Sequence, residues 1–394
     1  MKIKDIRVIG VRLPGKPAPR GTGRNSAMPL DILGAGDLHL VPRGDVAHQY
    51  VEVETEDGLI GYGIVGAFDG AAEYTILNHL RPLLLGMNVL DSRRAWELMF
   101  RATVGYGRRG IVISAISAVD LALWDLKGKI LGQPVYNLLG GRMRDAIPVY
   151  ASRLYASDDI SHVRDEAQRY VDEGFTAMKL RPAFGPADGW EGLQKNIRQI
   201  ETVRDVIGPS SQLMVDVYSG WDLPYTMRML PVLSDYNVYW LEEPVLPDDI
   251  EGYAEIRKLA HSYGVLIAGG EHEATRWGVK QLLDSRAVDI LQVDVNRVGG
   301  ITEALGVWAM AAAHGVDVIP HAGQVHNFHM VISHLNSPIA EYFPEPLGNP
   351  DRNEVFKAFW KGEPAAEDGY VNLSEEPGLG ITPDAEMVAR FQVS

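Results

Sequence analysis

The chain has 394 residues, 46% of them hydrophobic, with a formal net charge of −15 and no cysteine. This suits a globular protein of two domains, or one large α/β domain with an appendage. The acidic balance opposes nucleic acid or an anionic membrane as partner, since both require a basic face, and the missing thiols exclude disulfides, cysteine nucleophiles, thiolate zinc and iron–sulfur clusters.

The opening stretch MKIKDIRVIGVRLPG alternates charged and apolar residues like a first strand and has no signal-peptide h-region. No run approaches the roughly 18 apolar residues of a membrane span, so a cytoplasmic location is expected. Residues 14–47 are rich in proline and glycine with little periodicity, which predicts a long loop, functional or disordered. QYVEVETEDGLIGYG (49–63) predicts a hairpin turned at Asp57–Gly58, and the Ala-, Ile- and Leu-rich stretch 112–129 predicts a helix. Residues 1–140 therefore read as an α+β unit.

From about Ala146 the rhythm becomes a regular strand–helix alternation. IPVYAS, TAMKLR, QLMVDV, VYWLE, VLIAGGE, DILQVD, VDVIPH and PIAEYF give eight strand pulses, separated by helical patterns. Near-continuous apolar strands between helices imply a parallel sheet covered on its outer side, and eight such units favour a closed β/α barrel over 146–345. An open doubly wound sheet is the structural alternative, but no GxGxxG opens the first unit. Residues 352–394 lose the rhythm and are expected to fold back on the N-terminal unit.

Chemically capable residues close these pulses: Lys179 and Arg181, Asp216, Glu242, Glu271, Asp294, His321 and Glu341. In a barrel the C-terminal strand ends ring the active-site mouth. A single carboxylate there reads as a helix cap. Three on successive strands would repel one another unless a cation sat among them, and three oxygens from rigid strands leave half an octahedron open, as Mg²⁺ prefers. Asp216, Glu242 and Glu271 are the candidate ligands. Glu243 is set aside because adjacent side chains on a strand point opposite ways. Asp294 and His321 end neighbouring strands, so the carboxylate could fix the imidazole tautomer and make an acid/base pair. The alternative of a zinc cluster from His321, His326 and His329 lacks a ligand spacing such as HExxH. Lys179 and Arg181 share a strand face and read as a catalytic or substrate-orienting pair, or as salt-bridge partners of the acids.

Lys-x-Arg, then Asp, LEEP, GGEH, VDVNRVGG, PHAG and AEYF in that order, with AVDLALWDLKGKILGQPVYNLLGG before them, resemble the enolase superfamily, mandelate racemase subgroup. The resemblance implies an α/β fold, a (β/α)7β TIM-like barrel with an α+β capping domain built from both chain ends. It also implies Mg²⁺ on Asp216, Glu242 and Glu271, an Asp294–His321 dyad, Glu341 near the substrate's enediolate oxygen, and a homo-oligomer, dimer or octamer. Racemases of the subgroup carry Lys-x-Lys, whereas Arg181 stands at the second position here and is too basic to be an easy base. The insertion GPADGWEG and His272 directly after the third ligand resemble the acid-sugar dehydratases of the L-rhamnonate type. The implied activity is Mg²⁺-dependent dehydration of a sugar acid, an aldonate such as L-rhamnonate or L-lyxonate, to a 2-keto-3-deoxy acid, with catalytic parts for Lys179, Arg181, His272, Asp294, His321 and Glu341. Loop residues Arg20, Arg24, His39 and Arg43 would close over the polyol end, with Arg43 and His39 as substrate contacts. A hydroxy-acid racemase or epimerase is the enzymatic alternative, and a non-catalytic acid-sugar-binding protein the alternative of another class.

Overall fold

A computed structural model describes residues 1–13, 26–33, 46–66, 70–345 and 359–393. Strands β1 (Ile3–Leu13), β2 (Val46–Thr55) and β3 (Ile60–Ile64) form an antiparallel sheet. The β2–β3 hairpin turns where the sequence predicts, with Gly58 at φ 82. Helix Ile111–Leu131 covers this sheet and is buried almost all the way round, as expected of a helix with apolar residues on every face. It lies so close to β3 that a Cβ on Gly63 would fall 1.9 Å from the Ala118 carbonyl oxygen. That approach explains the glycines of the GYG sequence.

The second unit is the barrel. Strands β4 (Ile147–Tyr155), β5 (Ala177–Arg181), β6 (Gln212–Asp216), β7 (Val238–Glu242), β8 (Leu266–Gly269), β9 (Ile290–Leu291) and β10 (Asp317–Val318) pair in parallel, each with the next. The eighth, β11 (Ala340–Tyr342), returns to pair with β4. Across the remaining seam the segment after β10 lies against β11, and a Cβ on Gly323 would fall 2.8 Å from the Glu341 carbonyl oxygen. Helices follow each of the first seven strands, so the architecture is the expected (β/α)7β barrel with an α+β cap. No helix among the described residues is long and apolar enough to cross a membrane.

Strand parity sets the interior. Tyr150, Ala177, Met214, Trp240, Ala268, Ile290 and Ile319 form one apolar cluster inside the barrel, with Tyr150 and Trp240 edge to face at 5.4 Å between ring centroids. Two residues further along each strand the side chains return to the same face. There stand Ser152, Lys179, Asp216, Glu242, Gln292 and His321. A dry layer thus floors a polar one.

Cap and barrel meet through helix Ile111–Leu131. Ser117 Oγ accepts the Gly299 N–H at 3.0 Å, and Trp96 Nε1 donates to the Gly299 carbonyl at 2.7 Å. Asp120 Oδ2 accepts the Thr302 N–H, and Trp124 Nε1 donates to Thr302 Oγ1, both at 2.9 Å. Asp125 accepts the backbone N–H groups of Tyr62 and Leu379 and pairs with Lys129. The C-terminal residues tie to both units: Gln392–Val393 extends the capping sheet beside β1, while Tyr370–Val371 pairs with β4. Residues 26–33 rest on the barrel loops, the Ala27 N–H bonding the Pro182 carbonyl at 2.7 Å.

Candidate active site

The polar layer gathers at the C-terminal mouth of the barrel. Asp216 and Glu242 are register partners at the ends of β6 and β7. Glu271 follows β8 after Gly270, whose φ of 109 turns the chain. All three carboxylates are at least 95% buried. Asp216 Oδ2 meets Lys179 Nζ at 3.2 Å and Arg181 Nε at 3.0 Å. Lys179 Nζ also lies 2.5 Å from Glu242 Oε1 and 3.0 Å from Glu341 Oε1. Glu242 Oε2 is oriented by Trp240 Nε1 at 3.0 Å and Gln292 Nε2 at 2.9 Å. Glu271 Oε1 accepts from Arg297 Nη1 at 3.0 Å.

His321 Nδ1 and Asp294 Oδ2 are 2.9 Å apart, the side-chain contact the sequence expects of neighbouring strand ends. Asp294 is also a cap, because its Oδ1 accepts the Asn296 N–H at 2.7 Å. The cap and the contact with the ring thus use different oxygens of one carboxylate. His321 Nε2 faces the other way, 3.7 Å from Glu271 Oε2. Glu341 joins the group: its Oε1 takes Ser152 Oγ at 2.5 Å and its Oε2 has no hydrogen-bond partner among the described residues. Arg181 is immobilised by the Ser152 carbonyl at 2.9 Å and by Asp216, with Tyr155 beneath its guanidinium.

His272 lies on the rim with Nε2 3.4 Å from Glu271 Oε1 and 3.5 Å from Glu243 Oε2. Strand alternation is not what positions Glu243. The strand ends at Glu242, and Glu243 takes the left-handed φ of 47, which brings its buried carboxylate beside His272 and Glu271. The zinc alternative finds no support, since His329 is bonded to the Tyr136 N–H and stacked on its ring on helix Val325–Ser333. His39 and Arg43, with Arg20 and Arg24, lie outside the described residues. Sequence reasoning missed Arg297, Gln292 and Ser152. Gln292 shares the face of Asp294 two residues on, and that parity was available to find it.

Among the described residues the mouth is short of positive charge: Asp216, Glu242, Glu243, Glu271, Asp294 and Glu341 face only Lys179, Arg181 and Arg297 as permanent cations. Burial pushes Glu242 up, the Asp216 charge adds to it, and Lys179 offsets only part, leaving the group at about 8. Asp216 is instead held below the ordinary range, because Lys179 and Arg181 outweigh the effect of burial. Burial pulls the His321 imidazole down, but Glu271 above all, with Asp294, pushes it to about 9. An oxygen-only set of three carboxylates with excess negative charge fits a hard divalent cation. Positive charge at Glu271 would also cancel the main upward push on His321 and return the ring towards neutrality.

A mandelate racemase/muconate lactonizing enzyme N-terminal domain model matches residues 42–140, and an enolase C-terminal domain-like model matches residues 162–387. The chain belongs to the mandelate racemase/muconate lactonizing enzyme family of the enolase superfamily. Among members of this family, an L-rhamnonate dehydratase of Saccharopolyspora erythraea is 40% identical over 343 residues, 86% of this chain and 84% of that protein. The crystal structure of L-rhamnonate dehydratase from Gibberella zeae superposes with a TM-score of 0.84 at 32% identity, covering 99% of this chain and 95% of the other. A second structure of the Gibberella zeae enzyme is complexed with Mg. The 3,6-anhydro-D-galactonate cycloisomerase of Zobellia galactanivorans superposes with a TM-score of 0.82 at 27% identity, covering both chains in full.

Proposed function

We propose that this family member is a Mg²⁺-dependent sugar-acid dehydratase, a hydro-lyase acting on an aldonate of the L-rhamnonate type. The likeness to L-rhamnonate dehydratases supports the substrate class. One observation carries the chemistry: His321 is fixed by Asp294 through Nδ1, while its Nε2 faces the carboxylate cluster. Asp216, Glu242 and Glu271 would hold the cation. When bound, Mg²⁺ supplies the positive charge that acidifies the C2–H bond next to the substrate carboxylate.

His321 Nε2 takes the C2 proton, and Asp294 stabilises the imidazolium that forms. The electron pair left at C2 becomes the C2–C3 double bond as the C3–O bond breaks. The leaving hydroxyl takes the proton back from His321 Nε2 and departs as water. The enol then tautomerises to the 2-keto-3-deoxy acid. Lys179 and Glu341, joined by an ion pair, bound the side of the mouth where the substrate carboxylate would lie. Arg181 has its Nε and Nη1 committed to Asp216 and Ser152, which supports a role in orientation and not in proton transfer. Arg43 and His39 remain our choices for contacts to the polyol end, and we place the enzyme in the cytoplasm as a homo-oligomer.

The test is a library of acid sugars with Mg²⁺, L-rhamnonate first, read by keto-acid release and product mass. Loss of water to give a 2-keto-3-deoxy acid is expected. An isomeric product of unchanged mass would move the protein to the racemase or cycloisomerase reading, and binding without turnover to the non-catalytic one.

A further inference from the structure

We infer that Glu243 is a positioning residue that acts through His272 on Glu271, setting which oxygen of that carboxylate is offered to the cation. The inference rests on Glu271 being a ligand, as proposed above.

Asp216 and Glu242 end paired strands and are held by the ladder, but Glu271 follows β8 in a turn. Its side chain must be fixed by neighbours. Arg297 Nη1 at 3.0 Å and His272 Nε2 at 3.4 Å both address Oε1. Oε2 is left towards the centre, where His321 Nε2 lies 3.7 Å away. His272 cannot turn freely. Its Nδ1 is 3.5 Å from Arg297 Nη1 and its ring meets Tyr218 edge-on. A guanidinium offers only donors, so Nδ1 faces it best as an acceptor and Nε2 best as an N–H. That N–H points between two carboxylates, Glu271 and Glu243.

Glu243 has no other evident employment. It is 1% exposed, and neither carboxylate oxygen has a hydrogen-bond partner among the described residues. Its nearest ionic contact is His272 Nε2 at 3.5 Å. A buried carboxylate this poorly served is costly. It sits there because the backbone leaves the β region at φ 47, a conformation uncommon for a residue with a side chain. The cost is explained if the charge orients the His272 N–H. Donor atoms of Glu243, Glu271 and His272 lie within 4.8 Å of one another, but the Arg297 guanidinium already supplies the cluster's positive charge.

Mn²⁺ titration followed by electron paramagnetic resonance reads cation affinity and stoichiometry without turnover. Glu243→Gln should keep the fold yet weaken binding by roughly 10- to 100-fold, the range for lost outer-shell partners. At saturating cation kcat should largely recover, so the defect lies in cation affinity, and Glu243→Asp should restore part of it. Glu243→Gln/His272→Gln should bind no more weakly than His272→Gln alone, because both changes break one chain of contacts. Unchanged affinity in Glu243→Gln, or additive losses in the double variant, would overturn the inference. Two Mn²⁺ per wild-type chain would overturn it as well, by making the cluster a second cation site. Glu271→Gln separates the two levels: if it binds Mn²⁺ normally, the ligand reading itself has failed, and if it does not, a normal Glu243→Gln refutes only the inference.

Discussion

Two regions of this molecule bury several carboxylates, and they neutralise them differently. Beneath the cap, Asp120 and Asp125 are met mainly by backbone N–H groups, with Lys129 the cation at Asp125. At the barrel mouth Asp216, Glu242 and Glu341 share Lys179, Arg181 adds to Asp216, and Arg297 serves Glu271 and Asp294. Backbone donors are fixed and answer a carboxylate once and for all. Side-chain cations can be rearranged, so the mouth can exchange partners with an incoming cation and substrate. Buried acid is therefore not by itself a sign of chemistry; what faces it tells which kind it is.

The largest effect should come from Glu242→Gln, which removes one of the three carboxylates proposed to hold the cation while Trp240 and Gln292 can still hold the amide. Mg²⁺-dependent activity should vanish with the far-ultraviolet circular dichroism unchanged, and undiminished activity would class Glu242 with the structural acids. His321→Asn should come next, with C2–H exchange in D₂O and dehydration falling together by about two to four decades at nearly constant cation affinity. Exchange that survives while dehydration stops would move the base to another group, Lys179 first.

On the other side of the comparison, Asp125→Ala should leave catalysis per folded molecule intact. It should lower stability by roughly 3–5 kcal/mol, the cost of breaking a buried pair, as read by urea denaturation. A catalytic defect larger than the stability loss would blur the division between the two regions. The smallest effect concerns pH. Burial, with Glu303 adding to it, pushes Asp120 up from 3.8 to about 7 against the pull of the Thr302 hydrogen bonds. The folded state then binds more protons than the unfolded one between those values, so this group's contribution is favourable below pH 4 and is lost as pH rises to 7. Asp120→Asn can still accept the Thr302 N–H, and it should gain on wild type as pH rises from 4 to 7 and stay ahead above it. Parallel stability curves for the two proteins would remove Asp120 from the ionising set.

Much of the barrel was legible because its signals are periodic. Eight apolar pulses show the strands, and the polar residue closing each pulse marks the mouth. Asp294 and His321 were readable as a pair because parallel neighbours end at one level. The alternation that sets Glu243 aside holds only inside a strand, and no pattern in LEEP announces a left-handed φ one residue past its end. Arg297 is hidden for a related reason: it reaches Glu271 and Asp294 from the helix Val295–Val298, and four residues are too few to show a period from which a direction can be read. The capping contacts were equally hidden, since Ser117 and Asp120 meet partners about 180 residues away and nothing local encodes that distance.

Those contacts bear on how such a protein can be taken apart. Trp96, Ser117, Asp120 and Trp124 all grip the Gly299–Thr302 stretch, which begins five residues after Asp294. A barrel produced alone, or grafted under the cap of a cousin, would keep every proposed ligand and the histidine. It would nevertheless lose the anchor that limits drift in the backbone carrying the histidine's partner. For shuffling between relatives, the useful cut is therefore not at the domain boundary. The exchangeable block is the barrel together with helix Ile111–Leu131 and Trp96, inherited as one piece.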